Sequence, residues 1–387
     1  MQICYLSEKQ LYTAENGNGI PVANTRYDKY KETIRSIQDA KAWKTQGTGA
    51  HFTGTAQEPQ DKSRIPASFS GVSCIGDELI YALCLEEMGG LYAKTPDGAV
   101  ERHILSRSGS FFGEIDYKNG KLAMSTGNHP RLLHLTVLNL ENGSEQEFTD
   151  GDSIEASPRW SVNKDVIYCS TAGYARDQYG QIAAIGPHAI AVLNPAAGTF
   201  TERYTDPALD YLKPADDAAG NFYFIRQPYR SKEESRNIFK DILLFPVRIV
   251  KAIFGFLNAF SVLFGGEALH GNASSRAERA KRKSEKELFF EGNQLNAEKN
   301  IRENERGGEK YPGIFPRSRE LVRIAPDGTE TVLKRGVLDY CICKDGSILC
   351  SNGRYILRLQ DGKEEKLVQA KLATCLTVLE TADAVQA

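Results

Sequence analysis

The fold is decided by the stretch Glu155-Ala156-Ser157-Pro158-Arg159-Trp160-Ser161 and the segments that follow it. These segments are Val166-Ile167-Tyr168-Cys169, Ala189-Ile190-Ala191-Val192-Leu193-Asn194-Pro195 and Gly198-Thr199-Phe200. Each is short, is rich in β-branched or aromatic residues, and is bounded by turn-forming residues, which is typical of strands. The stretch from Glu155 to Arg203 therefore predicts three or four short strands joined by turns.

The same unit recurs loosely along the chain as an apolar run, a tight turn and a polar strand. Asp-Gly and Asn-Gly pairs supply the positive φ angles that several of these hairpins need. The turn glycines are separated by 45, 55, 130 and 34 residues, and they are Gly98, Gly143, Gly198, Gly328 and Gly362. A four-stranded unit of roughly 40–50 residues predicts the blades of a β-propeller. The step of 130 residues indicates one blade that carries a large insertion.

One copy of the unit resembles a known repeat family. The segment from Ser157 to Tyr168 is similar to the TolB-type (PD40, WD40-like) propeller repeat, Ser-Pro-x-Trp-Ser-Pro-Asp-Gly-x-x-Ile-x-Phe. Val162 stands where that repeat has its second proline, and Lys164 stands where it has its turn glycine. Pro214 and Gly220 keep the same spacing one blade later. The resemblance implies a propeller fold and carries no activity with it.

Five blades can be placed on the sequence, and the chain ends supply a sixth. The five predicted blades are 68–107, 109–150, 152–205, 208–336 and 337–370. Strand-like segments at 3–6, 11–14 and 372–379 remain, and each would leave an exposed sheet edge if it stood alone. We therefore predict an all-β, six-bladed propeller in which N- and C-terminal strands share the closing blade, with seven blades as the alternative.

Two segments interrupt the strand pattern. Residues 25–46 predict a short helix, with Thr25 and Asp28 as a capping pair. Residues 231–316 predict an inserted segment in blade four, which is amphipathic and helical in its first part and flexible over 291–312. The propeller itself is then formed by residues 1–230 and 317–387.

The insertion contains an apolar stretch that no blade requires. On a helix, residues 242–264 place Arg248 and Lys251 on a narrow polar strip and apolar side chains elsewhere. Pro246 and the two cations interrupt the apolar run, which argues against a membrane span. So much apolar surface needs a cover. Three surfaces could bury this apolar stretch, namely the interface of a bilayer, a groove on a partner protein, and the propeller itself.

A basic cluster follows the apolar stretch and favours an anionic membrane surface, although nearby glutamates dilute its charge. We expect residues 237–288 to contact this surface or a protein partner. The residues predicted to make that contact are Phe245, Ile249, Ile253, Phe254, Phe256, Leu257, Phe260, Phe264, Arg279, Lys281, Arg282 and Lys283.

Composition narrows the class of protein and its compartment. The chain has 387 residues and a net charge of −2, so no overall positive field attracts nucleic acid. The N-terminal residues lack the charged and apolar regions of a secretory signal. Eight cysteines are scattered through apparent strands, which favours buried free thiols in a reducing cytoplasm. We expect a cytoplasmic protein, with membrane association through the insertion.

Known catalytic motifs are absent from the sequence, including Gly-x-Ser-x-Gly, the P-loop, His-Glu-x-x-His and the dinucleotide fingerprint. Glu114, Glu155, Asp210 and Asp339 each fall near the start of a blade's innermost strand. Inner strands line the central channel of a propeller, so these carboxylates are the candidate ligands for a divalent cation. The leading hypothesis is a non-catalytic scaffold for protein–protein interaction that uses no cofactor. The alternative is a metal-dependent hydrolase similar to lactonase-type propellers.

Overall fold

The computed structural model describes residues 1–8, 10–15, 17–45, 67–85, 88–95, 101–129, 132–179, 182–229, 287–290 and 293–379. Six β-sheets are arranged as the blades of a propeller. The chain begins with three strands of the closing blade, β1 (Gln2–Ser7), β2 (Gln10–Ala14) and β3 (Ile20–Pro21), and continues into helix α1 (Thr25–Thr45).

The first three blades follow in chain order. Blade one contains β4 (Ala67–Ile75), β5 (Glu78–Leu85), β6 (Met88–Lys94) and β7 (Glu101–Ser108). Blade two contains β8 (Phe111–Lys118), β9 (Lys121–His129), β10 (Leu132–Asn139) and β11 (Glu145–Glu147). Blade three contains β12 (Ser153–Trp160), β13 (Ile167–Arg176), an additional strand β14 (Ile182–Ile185), β15 (Ala189–Asn194) and β16 (Thr199–Tyr204).

Blade four is interrupted by the insertion, and blade five is regular. Blade four begins with β17 (Leu209–Asp216) and β18 (Phe222–Pro228). The described part of the insertion is a hairpin of β19 (Glu287–Phe290) and β20 (Asn293–Asn296), followed by helix α2 (Ala297–Arg306). Strands β21 (Glu320–Ile324) and β22 (Glu330–Arg335) complete blade four. Blade five contains β23 (Asp339–Ile342), β24 (Ile348–Ser351), β25 (Tyr355–Gln360) and β26 (Lys363–Gln369).

The sixth blade joins the two ends of the described chain. The last strand, β27 (Thr374–Leu379), pairs antiparallel with β1, so that Ile3 faces Val378 and Cys4 faces Thr377. The resulting sheet has the order β27-β1-β2-β3. The predicted closure by shared terminal strands is therefore confirmed, and the described residues form six blades with boundaries close to those read from the turn glycines.

Each blade buries both faces of its middle strands against its neighbours. In β5 every residue after Glu78 is buried, whereas β7 at the outer edge is half-buried or exposed throughout. Between blades one and two, Ile80, Leu91 and Phe112 are each fully buried. Burying side chains of this size removes apolar surface from water at roughly 25 cal/mol per Å². The repeated apolar runs in the sequence thus correspond to contacts between blades.

The innermost strands share a local irregularity that shapes the channel. Their pairing shifts register between Phe112 and Ile115, between Ala156 and Arg159, and between Leu212 and Ala215. Such bulges redirect side chains next to functional sites. Within these strands Ser157, Lys213 and Cys375 have φ angles of 52°, 51° and 51°. A non-glycine residue in this region stores roughly 1–3 kcal/mol of strain.

Both described helices are capped by an asparagine. Asn24, rather than the predicted Thr25, caps α1, because its Oδ1 accepts a hydrogen bond of 2.7 Å from the Tyr27 N–H. The Asn24 amide also donates to the buried Tyr81 hydroxyl at 2.5 Å, a tertiary contact that the local sequence does not reveal. Asn296 caps α2 by accepting from the Lys299 N–H at 2.9 Å.

Helix α2 corrects the expectation of a flexible segment over 291–312. The Asn300 side chain donates to the Ile314 carbonyl at 2.8 Å. The Asn304 side chain donates to the Gly313 and Phe315 carbonyls at 2.9 and 3.0 Å. Both asparagines are buried. The polar composition that suggested flexibility instead supplies the hydrogen bonds that hold this helix to residues 313–315, and Phe315 in turn packs on Leu338 of the propeller.

Candidate functional site

All four carboxylates singled out from the sequence lie on the innermost strands and are buried. Glu114 is 4% exposed, Glu155 is 1% exposed, Asp210 is 6% exposed and Asp339 is 0% exposed. They belong to blades two, three, four and five respectively. The structure brings Glu114 and Asp339 together on one ammonium group, and it places Glu155 and Asp210 in two separate pairs with histidines.

Lys213 joins Glu114 and Asp339 at the centre of the channel. Its Nζ lies 2.8 Å from Glu114 Oε1 and 3.1 Å from Asp339 Oδ2. The lysine side chain comes from blade four and is 10% exposed. Burial opposes its charge, but the Asp339 and Glu114 carboxylates outweigh that effect and raise the pKa of Lys213 above its ordinary value. A positive side chain therefore occupies the position between two of the candidate metal ligands.

Groups around this ammonium complete a connected network. The Asp339 Oδ2 atom also accepts from the Cys375 N–H at 2.5 Å, and Asp339 Oδ1 accepts from the Tyr340 N–H at 2.7 Å. The Tyr340 hydroxyl donates to the Lys213 carbonyl at 2.6 Å. Burial raises the pKa of the Tyr340 hydroxyl and of the Cys375 thiol, which keeps both groups neutral. The network thus links blades two, four, five and six through one cation.

Glu155 and Asp210 each join two neighbouring blades through a histidine. Glu155 Oε2 lies 3.3 Å from His134 Nδ1 and accepts from the Thr149 hydroxyl at 2.7 Å. Burial lowers the pKa of His134, but the hydrogen bond and charge of Glu155 outweigh it, and the net shift is upward. Asp210 Oδ1 lies 2.9 Å from His188 Nδ1. Burial raises the pKa of Asp210, yet the His188 charge and hydrogen bonds hold it below its ordinary value.

The sequence reasoning missed a second ion pair, between Arg159 and Asp116. Arg159 Nη1 lies 3.2 Å from Asp116 Oδ1, and the Trp160 N–H donates to Asp116 Oδ2 at 2.7 Å. Burial raises the pKa of Asp116 despite the opposing charge of Arg159. Lys213 was missed as well, although Lys213-Pro214 occupies the same place in its blade as Ser157-Pro158. That equivalence is the sequence signal that could have placed Lys213 in the channel.

This arrangement is suited to holding blades together. Across the described residues, no group of three or more His, Cys, Asp or Glu side chains is arranged to hold a metal ion. One oxygen of Glu114 and one of Asp339 bind the Lys213 ammonium. A cation held jointly by the four carboxylates stays a prediction of the sequence. All eight cysteines are free thiols; six of them are buried as predicted, whereas Cys74 and Cys341 are half-buried.

The second candidate site, the apolar and basic part of the insertion, lies outside the described residues. This applies to the predicted contact residues Phe245, Ile249, Ile253, Phe254, Phe256, Leu257, Phe260, Phe264, Arg279, Lys281, Arg282 and Lys283. Of the helices that the structure describes, none is both long enough and apolar enough to cross a membrane.

The described residues on either side of the insertion are attached to the propeller. The Tyr229 hydroxyl donates to the Ile185 carbonyl in blade three, and the Tyr229 N–H donates to the Ala208 carbonyl at 2.8 Å. Helix α2 packs with Ile301 against Phe315 and Leu338, next to blade five. Connections from the second to the third strand of a blade, and from one blade to the next, lie on the same side of an antiparallel propeller. Both attachments therefore lie on one face, which we call the insertion face.

Comparison with known proteins finds similarity only among solved structures. No protein-family model and no curated protein sequence matches this chain. Among solved structures, TolB from Acinetobacter baumannii is 8% identical, with 97% of this chain and 65% of that chain covered and a TM-score of 0.49. The tricorn protease is 11% identical, with 95% and 33% covered and a TM-score of 0.44. A putative TolB from Agrobacterium tumefaciens is 13% identical, with 61% and 72% covered and a TM-score of 0.34.

The chain thus spans 65% of the length of the first of these structures and 33% of the second. At such low identity the similarity concerns the fold alone. The six sheets nevertheless form the blades of a propeller, which is the fold that the repeat at Ser157–Tyr168 implied. The described residues thus form a six-bladed β-propeller that is closed by pairing of β27 with β1.

Proposed function

We propose that this protein is a non-catalytic propeller scaffold whose blade-four insertion attaches it to an anionic membrane surface. The observation that carries the proposal is the attachment of both described ends of the insertion to one face of a closed propeller. Tyr229 holds one end to blade three, and α2 holds the other end next to blade five. Because both attachments lie on the insertion face, a contact made by the insertion would orient the whole propeller.

The sequence of the insertion indicates the chemistry of the contact. An apolar stretch at 242–264 followed by a basic cluster is the pattern of a helix that lies in a membrane interface. Each lysine or arginine near an anionic surface contributes about 1 kcal/mol. The remaining faces of the propeller stay available for proteins, and a scaffold of this kind would bring such partners to the membrane from the cytoplasm.

The interior of the channel also supports a scaffold. Lys213 and Arg159 are held by acidic side chains of other blades, and these contacts tie the blades together. The alternative of a metal-dependent hydrolase requires Glu114 and Asp339, the two carboxylates that hold Lys213, to bind a cation. The Lys213 ammonium competes for that position, and the scaffold is therefore the function that the geometry supports best.

A vesicle sedimentation assay tests the proposal. Replacing residues 237–286 by a glycine–serine linker should leave the propeller folded and abolish sedimentation with vesicles of phosphatidylserine and phosphatidylcholine. Neutralising Arg279, Lys281, Arg282 and Lys283 with glutamine should weaken binding by about fivefold per cation, the equivalent of ~1 kcal/mol each. Lys299 and Arg302 on α2 provide the control substitutions, because both are exposed cations that lie outside the segment proposed to contact the membrane.

Two results would count against attachment to a membrane through the insertion. Equal sedimentation of the full chain and the linker variant would remove the insertion from the contact. Loss of a co-purifying protein in the linker variant, without any binding of the full chain to vesicles, would identify a protein partner instead.

A further inference from the structure

Two cysteines lie on the two sides of the interface between the closing blade and blade one. Cys4 lies on β1 and is fully buried, whereas Cys74 lies near the end of β4 and is half-buried. Cys4 belongs to the apolar core that blade six and blade one share, and Cys74 packs against that same core. The two thiols therefore approach one interface from different blades.

Thr377 places the two thiols close together. It lies on β27 directly opposite Cys4, and residues paired in this way have β-carbons about 4.5–5.5 Å apart on the same face of the sheet. The Thr377 hydroxyl lies 3.6 Å from the Cys74 sulfur. One threonine side chain thus borders a cysteine from each of the two blades.

The two thiols differ in their access to solvent and in their acidity. Burial raises the pKa of Cys4, and the neighbouring Cys74 adds to this effect, so Cys4 stays protonated inside the interface. Cys74 keeps part of its surface in contact with water. Oxidation by peroxide begins at an accessible thiol. Cys74 is therefore the thiol that meets an oxidant first, and Cys4 is the thiol placed to react with the product.

We propose that Cys74 and Cys4 form a disulfide when the protein is exposed to hydrogen peroxide. The Cys74 sulfur first takes one oxygen atom from peroxide and becomes a sulfenic acid, while the second oxygen leaves as water. The Cys4 sulfur then attacks the Cys74 sulfur, so that an S–S bond replaces the S–O bond. The hydroxyl leaves with the Cys4 proton as another water. Two thiols and one peroxide thus give one disulfide and two waters.

This disulfide fastens the closing blade to blade one. A disulfide needs β-carbons about 3.5–4.5 Å apart, so the proposal includes a shift of β1 toward β4 at this point. The pairing of β1 with β27 is otherwise made by hydrogen bonds alone. A covalent bond to β4 keeps the N-terminal strand in place when β27 detaches. In a reducing compartment such a bond is transient, which suits a response to oxidation.

Mass spectrometry of the full chain after peroxide treatment tests the disulfide. The wild-type protein should lose about 2 Da, the mass of the two hydrogens removed from the thiols, and dithiothreitol should restore it. A digest should contain the Cys4 peptide joined to the Cys74 peptide. Cys74→Ser should abolish this joined peptide. Cys341→Ser is the matched control, because Cys341 is also half-buried, and it should leave the yield of the joined peptide unchanged.

Three results of this experiment overturn the proposal. The first is oxidation of Cys74 to a sulfinic acid without any joined peptide. The second is a disulfide that joins Cys74 to Cys341 in place of Cys4. The third is a disulfide between two copies of the chain, seen as a dimer on a gel without reductant.

Urea unfolding tests the consequence for the closing blade. The oxidised wild-type protein should unfold at a higher urea concentration than the reduced protein, because the bond restricts the unfolded chain. Cys74→Ser after the same peroxide treatment should show no such increase. An equal midpoint for the oxidised and reduced wild-type proteins overturns the fastening of the two blades. Neither measurement involves vesicles, so both outcomes are independent of the proposed membrane attachment.

Discussion

Replacing Lys213 with methionine should destabilise the propeller more than any other single change in its channel. Methionine keeps most of the apolar length of the side chain but removes the ammonium that lies 2.8 Å from Glu114 Oε1 and 3.1 Å from Asp339 Oδ2. Both carboxylates are almost fully buried, so water cannot replace the lost partner. Removing one member of a buried ion pair costs about 3–5 kcal/mol. For a chain of this size, that corresponds to a decrease of roughly 5 °C in Tm.

Urea unfolding monitored by tryptophan fluorescence measures this cost. The triple variant Lys213→Met, Glu114→Gln, Asp339→Asn should recover most of the lost stability, because it removes the uncompensated charges together with the ammonium. A cost below about 1 kcal/mol for the single variant, a value typical of exposed pairs, would refute the reasoning. A triple variant no more stable than the single variant would refute it as well.

The pH dependence of the wild-type pair follows from the direction of its shift. The pKa of Lys213 is raised above its ordinary value of 10.5. The stabilisation is therefore complete below that value and is lost only as pH rises through the higher folded value. Across the neutral range the cost of Lys213→Met should therefore not depend on titration of the lysine, and a cost that changes between pH 6 and pH 8 would contradict the raised pKa of Lys213.

Three further predictions concern other contacts. Asn24→Ala should lower the free energy of unfolding by about 1–2 kcal/mol in urea titrations, because it removes a helix cap and the hydrogen bond to Tyr81. Thr25→Ala is the control and should change the free energy of unfolding little. Equal effects of the two substitutions would contradict Asn24 as the cap. The pKa of His134 is raised beside Glu155, so the contribution of His134 to stability is complete below the ordinary value of 6.5 and is lost as pH rises through the folded value. The difference in the free energy of unfolding between wild type and His134→Gln should therefore shrink across that range. A constant difference would count against the raised pKa. Millimolar Ca²⁺ should leave Tm unchanged because Lys213 holds two of the four candidate ligands, and a rise in Tm abolished by Glu155→Ala would favour the hydrolase.

The architecture could be predicted because the spacing of the blades follows from turn residues that are recognisable in the local sequence. Gly143 and Gly198 have φ angles of 70° and 63° in their turns, conformations that glycine adopts without strain. A glycine turn of this kind joins the two outer strands in each of blades two to five, so the spacing of these turns locates the blades along the chain. Closure by the terminal strands followed from the same counting, because the segments left over at the two ends together complete one sheet.

The candidate site was predicted only in part, because its contacts depend on separations that no local pattern records. Lys213 and Glu114 are 99 residues apart, and Lys213 and Asp339 are 126 residues apart. The bulge between Leu212 and Ala215 decides which side chain enters the channel. The alternation of side chains along a strand predicts which face each residue occupies only as far as such a register shift. For this reason the carboxylates were identified from the sequence, whereas the lysine between them was not.

Pairing of β27 with β1 sets an order of events during biosynthesis. The ribosome makes β1 before the five other blades and β27 after them, so β1 must wait for this hydrogen-bonding partner while those blades fold. During that interval the backbone edge of β1 is open to pairing with other chains, which is a hazard for any unpaired strand. Destabilising β27 should therefore reduce the yield of soluble protein in cells more strongly than it reduces the stability of protein that has already closed.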